Sequence, residues 1–137
     1  MADAEDDIPP VFYDRLQKRI LKYVGDKNWH GMGCWQWIGR KKSGGSYGIV
    51  HLRVGGDRMC VHAHRASYIA CHRKFILPGE ISHCCHHGGC VNPQHLEHEK
   101  HDINMDREKC RRARKCGGHT SSCGNVLKDC LFNLTEE

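Results

Sequence analysis

The stretch EISHCCHHGGCVNPQHLEHEKHDIN, Glu80 to Asn104, holds six histidines and three cysteines in 25 residues. That density signals either a metal site or disulfides, and spacing and compartment decide between them. Cys85-x4-Cys90-x4-His95, with Asn92-Pro93 turning the chain between the last two, puts two thiolates and an imidazole on one tight loop. Zinc takes such donors in a tetrahedron, so a fourth ligand is needed. Cys34 is best placed to supply it, since it follows a glycine, opens the segment CWQWIG and stands apart from the other cysteines. A second set, Cys110-x5-Cys116-x2-His119-x3-Cys123, is complete within fourteen residues, with Gly117-Gly118 supplying the bend. Two coordinatively closed sites predict two structural zinc ions per chain. Cys60, Cys71, Cys84 and Cys130 are left over and read as free buried thiols.

The rest of the composition agrees with metal stapling. With 137 residues, 39% apolar and only three phenylalanines, the chain predicts one domain with a thin core, which bound metal helps to stabilise. MADAEDD is acidic where a secretory leader is basic and then apolar, and no long apolar run occurs. The expectation is a soluble intracellular protein without membrane contact, nuclear in a eukaryote and cytoplasmic in a bacterium or virus, which favours thiolates over disulfides. The net charge of +5 hides an asymmetry. Asp3, Glu5, Asp6 and Asp7 leave 12 of the 16 acids to face all 21 bases in the remaining chain. A polyanion is the partner such a surface suits.

Patterning predicts an α+β domain over 9–125, preceded by a disordered acidic tail (1–8) and followed by a tail (126–137). Phe12, Leu16, Ile20 and Val24 fall on one helical stripe. Around Gly55-Gly56 the period changes to two: Val50, Leu52, Val54, Met59 and Val61 alternate with His51, Arg53, Arg58 and His62. This is an antiparallel hairpin with one apolar face, and its other face can present side chains to a DNA major groove. A short helix is expected over 64–74, a strand over 81–84 and a polar helix from about 98 to 114. The basic run 107–115 reads as a solvated face. Leu127, Leu131, Phe132 and Leu134 in the last segment either meet a second copy or pack back on the domain.

His83 ends a predicted strand beside the zinc loop, and no ligand count requires it. Read in order, CWQW-x-G, SYG, AHRASY, PGEISHCC, C-VNPQHL and HDIN resemble the His-Me finger (HNH-like) endonucleases, and the two zinc clusters are similar to the His-Cys box homing endonucleases among them. The resemblance implies a ββα-metal fold with flanking helices, in which His83 activates a water and Asn104 holds a catalytic divalent cation, usually magnesium. It also implies hydrolysis of double-stranded DNA to 5′-phosphate and 3′-hydroxyl ends, site-specific and double-stranded as in homing. A basic residue is expected near the scissile phosphate, from Arg53, Arg58 or Arg65. One such site cuts one strand, so a homodimer is the simplest double-strand cutter. The competing reading is a zinc-stabilised DNA-binding module of the same fold that does not cleave.

Overall fold

A computed structural model of the chain describes residues 8–43, 45, 47–75, 78–121 and 126–132. The first helix, α1 (Pro10–Lys22), begins with proline at its first position, where the missing N–H is no loss and the fixed φ is already helical. Tyr13, Leu16 and Ile20 are its buried face. The expected stripe holds at Leu16 and Ile20 and differs at its ends: Tyr13 is buried where Phe12 is only partly so, and Val24 has left the helix to bridge Trp37. Strands β1 (Ile49–Val54) and β2 (Asp57–His62) pair with Val50 opposite Val61 and Leu52 opposite Met59. Gly55 and Gly56 both have positive φ, 58° and 87°, so the two-residue loop is the turn whose twist matches the strands and which glycine alone adopts freely. The faces fall as patterned, with Val50, Leu52 and Val61 buried and Arg53, Arg58 and His62 exposed.

Helix α2 (Ala63–His72) starts as β2 ends, and its buried Ala63, Ala66, Ile69 and Ala70 pack with α1 and the hairpin in the main core. The small side chains let the α1 backbone come close. Trp37 completes this core. A Cβ on Gly48 would fall 2.2 Å from its ring, so the SYG glycine leaves room for the tryptophan.

The ββα unit follows. β3 (Glu80–His83) pairs with β4 (Leu96–Glu99) across the zinc loop, with His83 opposite Leu96, and α3 (His101–Ala113) leads away. Strand β4 lies where the sequence predicted the start of a helix. The reason is Glu99: it points inward and receives Nε and Nη2 of Arg107 at 2.6 and 2.9 Å, both side chains being 1% exposed. A buried ion pair replaces the apolar residue that would have betrayed the strand. Arg107 is therefore no part of a solvated basic face.

The last described segment returns to the domain. β5 (His119–Thr120) pairs with β6 (Val126–Leu127), Leu131 packs against Cys34, Cys85 and Cys90 and donates its N–H to the Cys84 carbonyl at 2.7 Å, and Phe132 stacks on His86. Residues 126–132 thus belong to the fold and not to a separate tail; Leu134 and residues 1–7 lie outside the described residues. No helix among the described residues is long and apolar enough to cross a membrane.

Removing one partner of a buried pair strands the other charge. Glu99→Gln is expected to lower unfolding stability by about 3 kcal/mol in chemical denaturation; a loss under about 1 kcal/mol would show that water reaches Arg107.

Candidate functional site

Cys34, Cys85, Cys90 and His95 converge as a buried group, and Cys110, Cys116, His119 and Cys130 form a second; within each, the ligand atoms lie within 4.8 Å of one another. Geometry tests whether zinc fits. Bonds of about 2.3 Å to sulfur and 2.0–2.1 Å to nitrogen at the tetrahedral angle put S and N about 3.5 Å apart. The observed separations are 3.5 and 3.6 Å from His95 Nδ1 to Cys34 and Cys90 Sγ, and 3.6 and 3.4 Å from His119 Nε2 to Cys110 and Cys130 Sγ. Two Cys3His sets shaped for two zinc ions follow. All nine cysteines among the described residues are free of disulfides.

The first set contains the ligands that spacing proposed, Cys34 included. Asn92 explains how the Asn-Pro turn serves it: its Oδ1 accepts from Gln94 N at 3.0 Å, and its Nδ2 donates to the Gly33 carbonyl at 2.7 Å, drawing the Cys34 segment to the loop. Hydrogen bonds from the Cys34 and Cys85 thiols hold Cys90 well below the usual thiol range, which favours the thiolate that zinc requires.

In the second set the expected Cys123 lies outside the described residues, and the described fourth ligand is Cys130, which the sequence reading leaves as a spare thiol. Antiparallel pairing of β5 with β6 accompanies the return of Cys130, seven residues beyond the end of the compact motif, to the site. Asp106 Oδ2 sits 3.0 Å from His119 Nδ1, the carboxylate support that fixes a zinc-bound imidazole. N–H groups of Gly118 and Cys130 point at Cys116 Sγ at 3.4 and 3.3 Å. Of the remaining cysteines, Cys60 and Cys71 are exposed, contrary to expectation, and Cys84 is buried outside both clusters, its thiol pushed up to about 11 by burial.

A polar cleft of about 520 Å³ opens beside the first centre, and His83 and Asn104 both line it. His83 Nε2 lies 3.1 Å from the Cys90 carbonyl. A carbonyl only accepts, so Nε2 carries the proton and Nδ1 keeps its lone pair. Burial pushes His83 down to about 4, and burial also holds His64 well below its ordinary value. Both rings are neutral at pH 7. They touch at 4.2 Å between centroids, and Tyr47 stacks on His83 and His62.

The residues assigned to DNA divide in two. Arg65 and His62 line the cleft, whereas Arg53 and Arg58 face each other across the hairpin next to its turn, with half-buried His51 between these groups. Arg65 is held by Nη2 donating to the Gly79 carbonyl at 2.7 Å. Tyr47, His64, Glu80, Glu108 and Arg111 also line the cleft. Spacing gave no hint of them, although Tyr47 and His64 stand in the SYG and AHRASY segments.

Residues 33–137 match the family described as the zinc-binding loop region of homing endonuclease. The match covers most of the chain and spans both zinc centres, the cleft strand β3 and helix α3. The chain belongs to that family, and its function is nuclease-related. No curated protein and no solved structure matches it.

Cys90→Ser and Cys130→Ser are each expected to lower bound zinc from two ions to one per chain by elemental analysis or native mass spectrometry. Cys130→Ser retaining two would return the fourth position of the second centre to another residue.

Proposed function

We propose that the protein is a magnesium-dependent DNA endonuclease that hydrolyses phosphodiester bonds to 5′-phosphate and 3′-hydroxyl ends, acting site-specifically on duplex DNA. The observation that carries the reading is the shared cleft: a neutral histidine with a free Nδ1, fixed by the zinc loop, opens onto the same space as the Asn104 amide and the Arg65 guanidinium. A binding module has no use for that combination.

In this reading a water lies against His83 Nδ1 and in line with the phosphorus. His83 takes its proton as oxygen attacks, the bond from phosphorus to the 3′ oxygen breaks, and the departing oxygen is protonated from solvent. Arg65 faces the phosphate and offsets the charge that builds on its oxygens. The Asn104 amide oxygen is a hard donor of the kind magnesium accepts alongside waters and phosphate oxygens. When bound there, the cation supplies stabilisation of negative charge on the transferring phosphate and the leaving oxygen. The exposed Arg53 and Arg58 carry the duplex along the hairpin. A homodimer accounts for cleavage of both strands, and sedimentation of the DNA complex tests it: a monomer that only nicks would remove it.

His83→Ala is expected to keep two zinc ions and DNA binding while losing roughly 10²- to 10⁴-fold in cleavage rate, the usual worth of a general base. Cleavage at the parent rate would exclude His83 as the base, and a parent protein that binds DNA but never cuts with magnesium would leave the binding module.

A depressed pKa also fixes the acid side of the rate profile. Since His83 loses its proton near pH 4 in the folded protein, cleavage should hold from pH 7 down to about 5 and fall only below that, provided zinc stays bound. Half-loss near 6.5, the ordinary histidine value, would contradict it. For stability the direction is that of any group whose pKa folding lowers. The unfolded chain takes up the proton first, so this group lowers stability as pH falls from about 6.5 towards 4.

A further inference from the structure

Asn104 occupies the first turn of α3, and its Nδ2 lies 3.2 Å from Oε1 of Glu80 at the start of β3. A carboxylate offers acceptors only, so the end of the amide that faces it must be the NH2 group. This fixes the other end: Oδ1 is turned away from Glu80, and no side-chain donor among the described residues is bonded to it. Glu80 is itself held, because Nδ1 of His101, three residues before Asn104 on the same helix, approaches its two oxygens at 3.1 and 2.8 Å. Glu80, Asn104 and His83 all line the one cleft.

We infer that Glu80 is a positioning residue: its carboxylate anchors Asn104 Nδ2 and so presents Oδ1 to a divalent cation in the cleft. The inference rests on the reading of Asn104 as the group that holds that cation. The torsion that turns an asparagine amide is broad, so without an anchor the side chain samples both orientations and the cation has to select the one that presents oxygen. A carboxylate this near also attracts the cation directly, and two substitutions separate the two effects. Gln keeps a carbonyl acceptor for Nδ2 and loses the charge, whereas Asp keeps the charge and draws the acceptor back by one carbon.

The test uses Mn²⁺ as the probe, titrated into the DNA complex of the full chain carrying His83→Ala, so that no turnover intervenes, and followed by electron paramagnetic resonance. The Glu80 side chain is 36% exposed, so shortening it opens no buried cavity, and two zinc ions per chain verify the fold. Adding Glu80→Ala or Glu80→Asp is expected to raise the half-saturating Mn²⁺ concentration roughly 10- to 100-fold, the usual effect of removing a group that orients a ligand. Glu80→Gln should stay near the His83→Ala parent. If the Ala variant does not hold zinc, the Asp and Gln pair decides the matter. Ala and Asp variants that titrate like the parent would overturn this inference alone and leave Asn104 in place. Gln falling as far as Ala would overturn orientation in favour of charge. A parent that binds no Mn²⁺ at all would overturn the role of Asn104 and this inference with it.

Discussion

Everything in the cleft depends on the tetrahedron formed by Cys34, Cys85, Cys90 and His95. Two of its ligands lie in the loop between β3 and β4, a third closes that loop, and the fourth comes from a segment some fifty residues earlier. The loop is otherwise short of apolar anchors. Its backbone nonetheless does two specific jobs, for the Cys90 carbonyl receives His83 Nε2, and the His95 carbonyl accepts the Cys84 N–H at 2.7 Å. A histidine tautomer is thereby set by the backbone of a loop that the first ligand set gathers. The apolar contact of β3 is a small cluster of Ile81 with Tyr68 and Leu96, apart from the main core of α1, α2 and the hairpin, and it could not alone fix a loop this polar.

The cleft combines several neutral imidazoles with a few charges placed in pairs. Arg111 is tied to Glu108 and His101 to Glu80. Burial keeps His83 and His64 uncharged, so proton acceptance at neutral pH costs no prior deprotonation. The price is paid in stability at acid pH. Arg53 and Arg58, directly opposite each other across the hairpin, repel in the free protein, and a phosphate between them would remove that strain.

The sequence is informative where chemistry is local and ambiguous where it is not. The ligand spacings of Cys85, Cys90 and His95 and the period-two hairpin reflect short-range geometry, and both were legible. Cys34 has no spacing to mark it, only its preceding glycine, its place at the head of CWQWIG and its distance from the other cysteines. Cys130 carries no compact-motif signal, because strand pairing and not a short spacing accompanies its approach to His119. β4 was missed because Glu99 and Arg107 replace an apolar contact by an ion pair, and both read as surface residues until the partner is known. Glu80 and His64 matter through what they touch, His64 meeting the His83 ring and Glu80 the Asn104 amide. Neither contact has a fixed offset in the chain.

Cys130 and Leu131 are neighbours that serve different centres. The first is a ligand of the second zinc set, and the second packs on the first set and bonds to the Cys84 carbonyl. Arg107, buried between them and Glu99, donates to Cys130 Sγ at 3.5 Å. Consecutive residues cannot part company, so disorder at one centre removes a wall from the other. The two centres thus brace one stretch of backbone from opposite sides, and the last described residues are held to the domain by both.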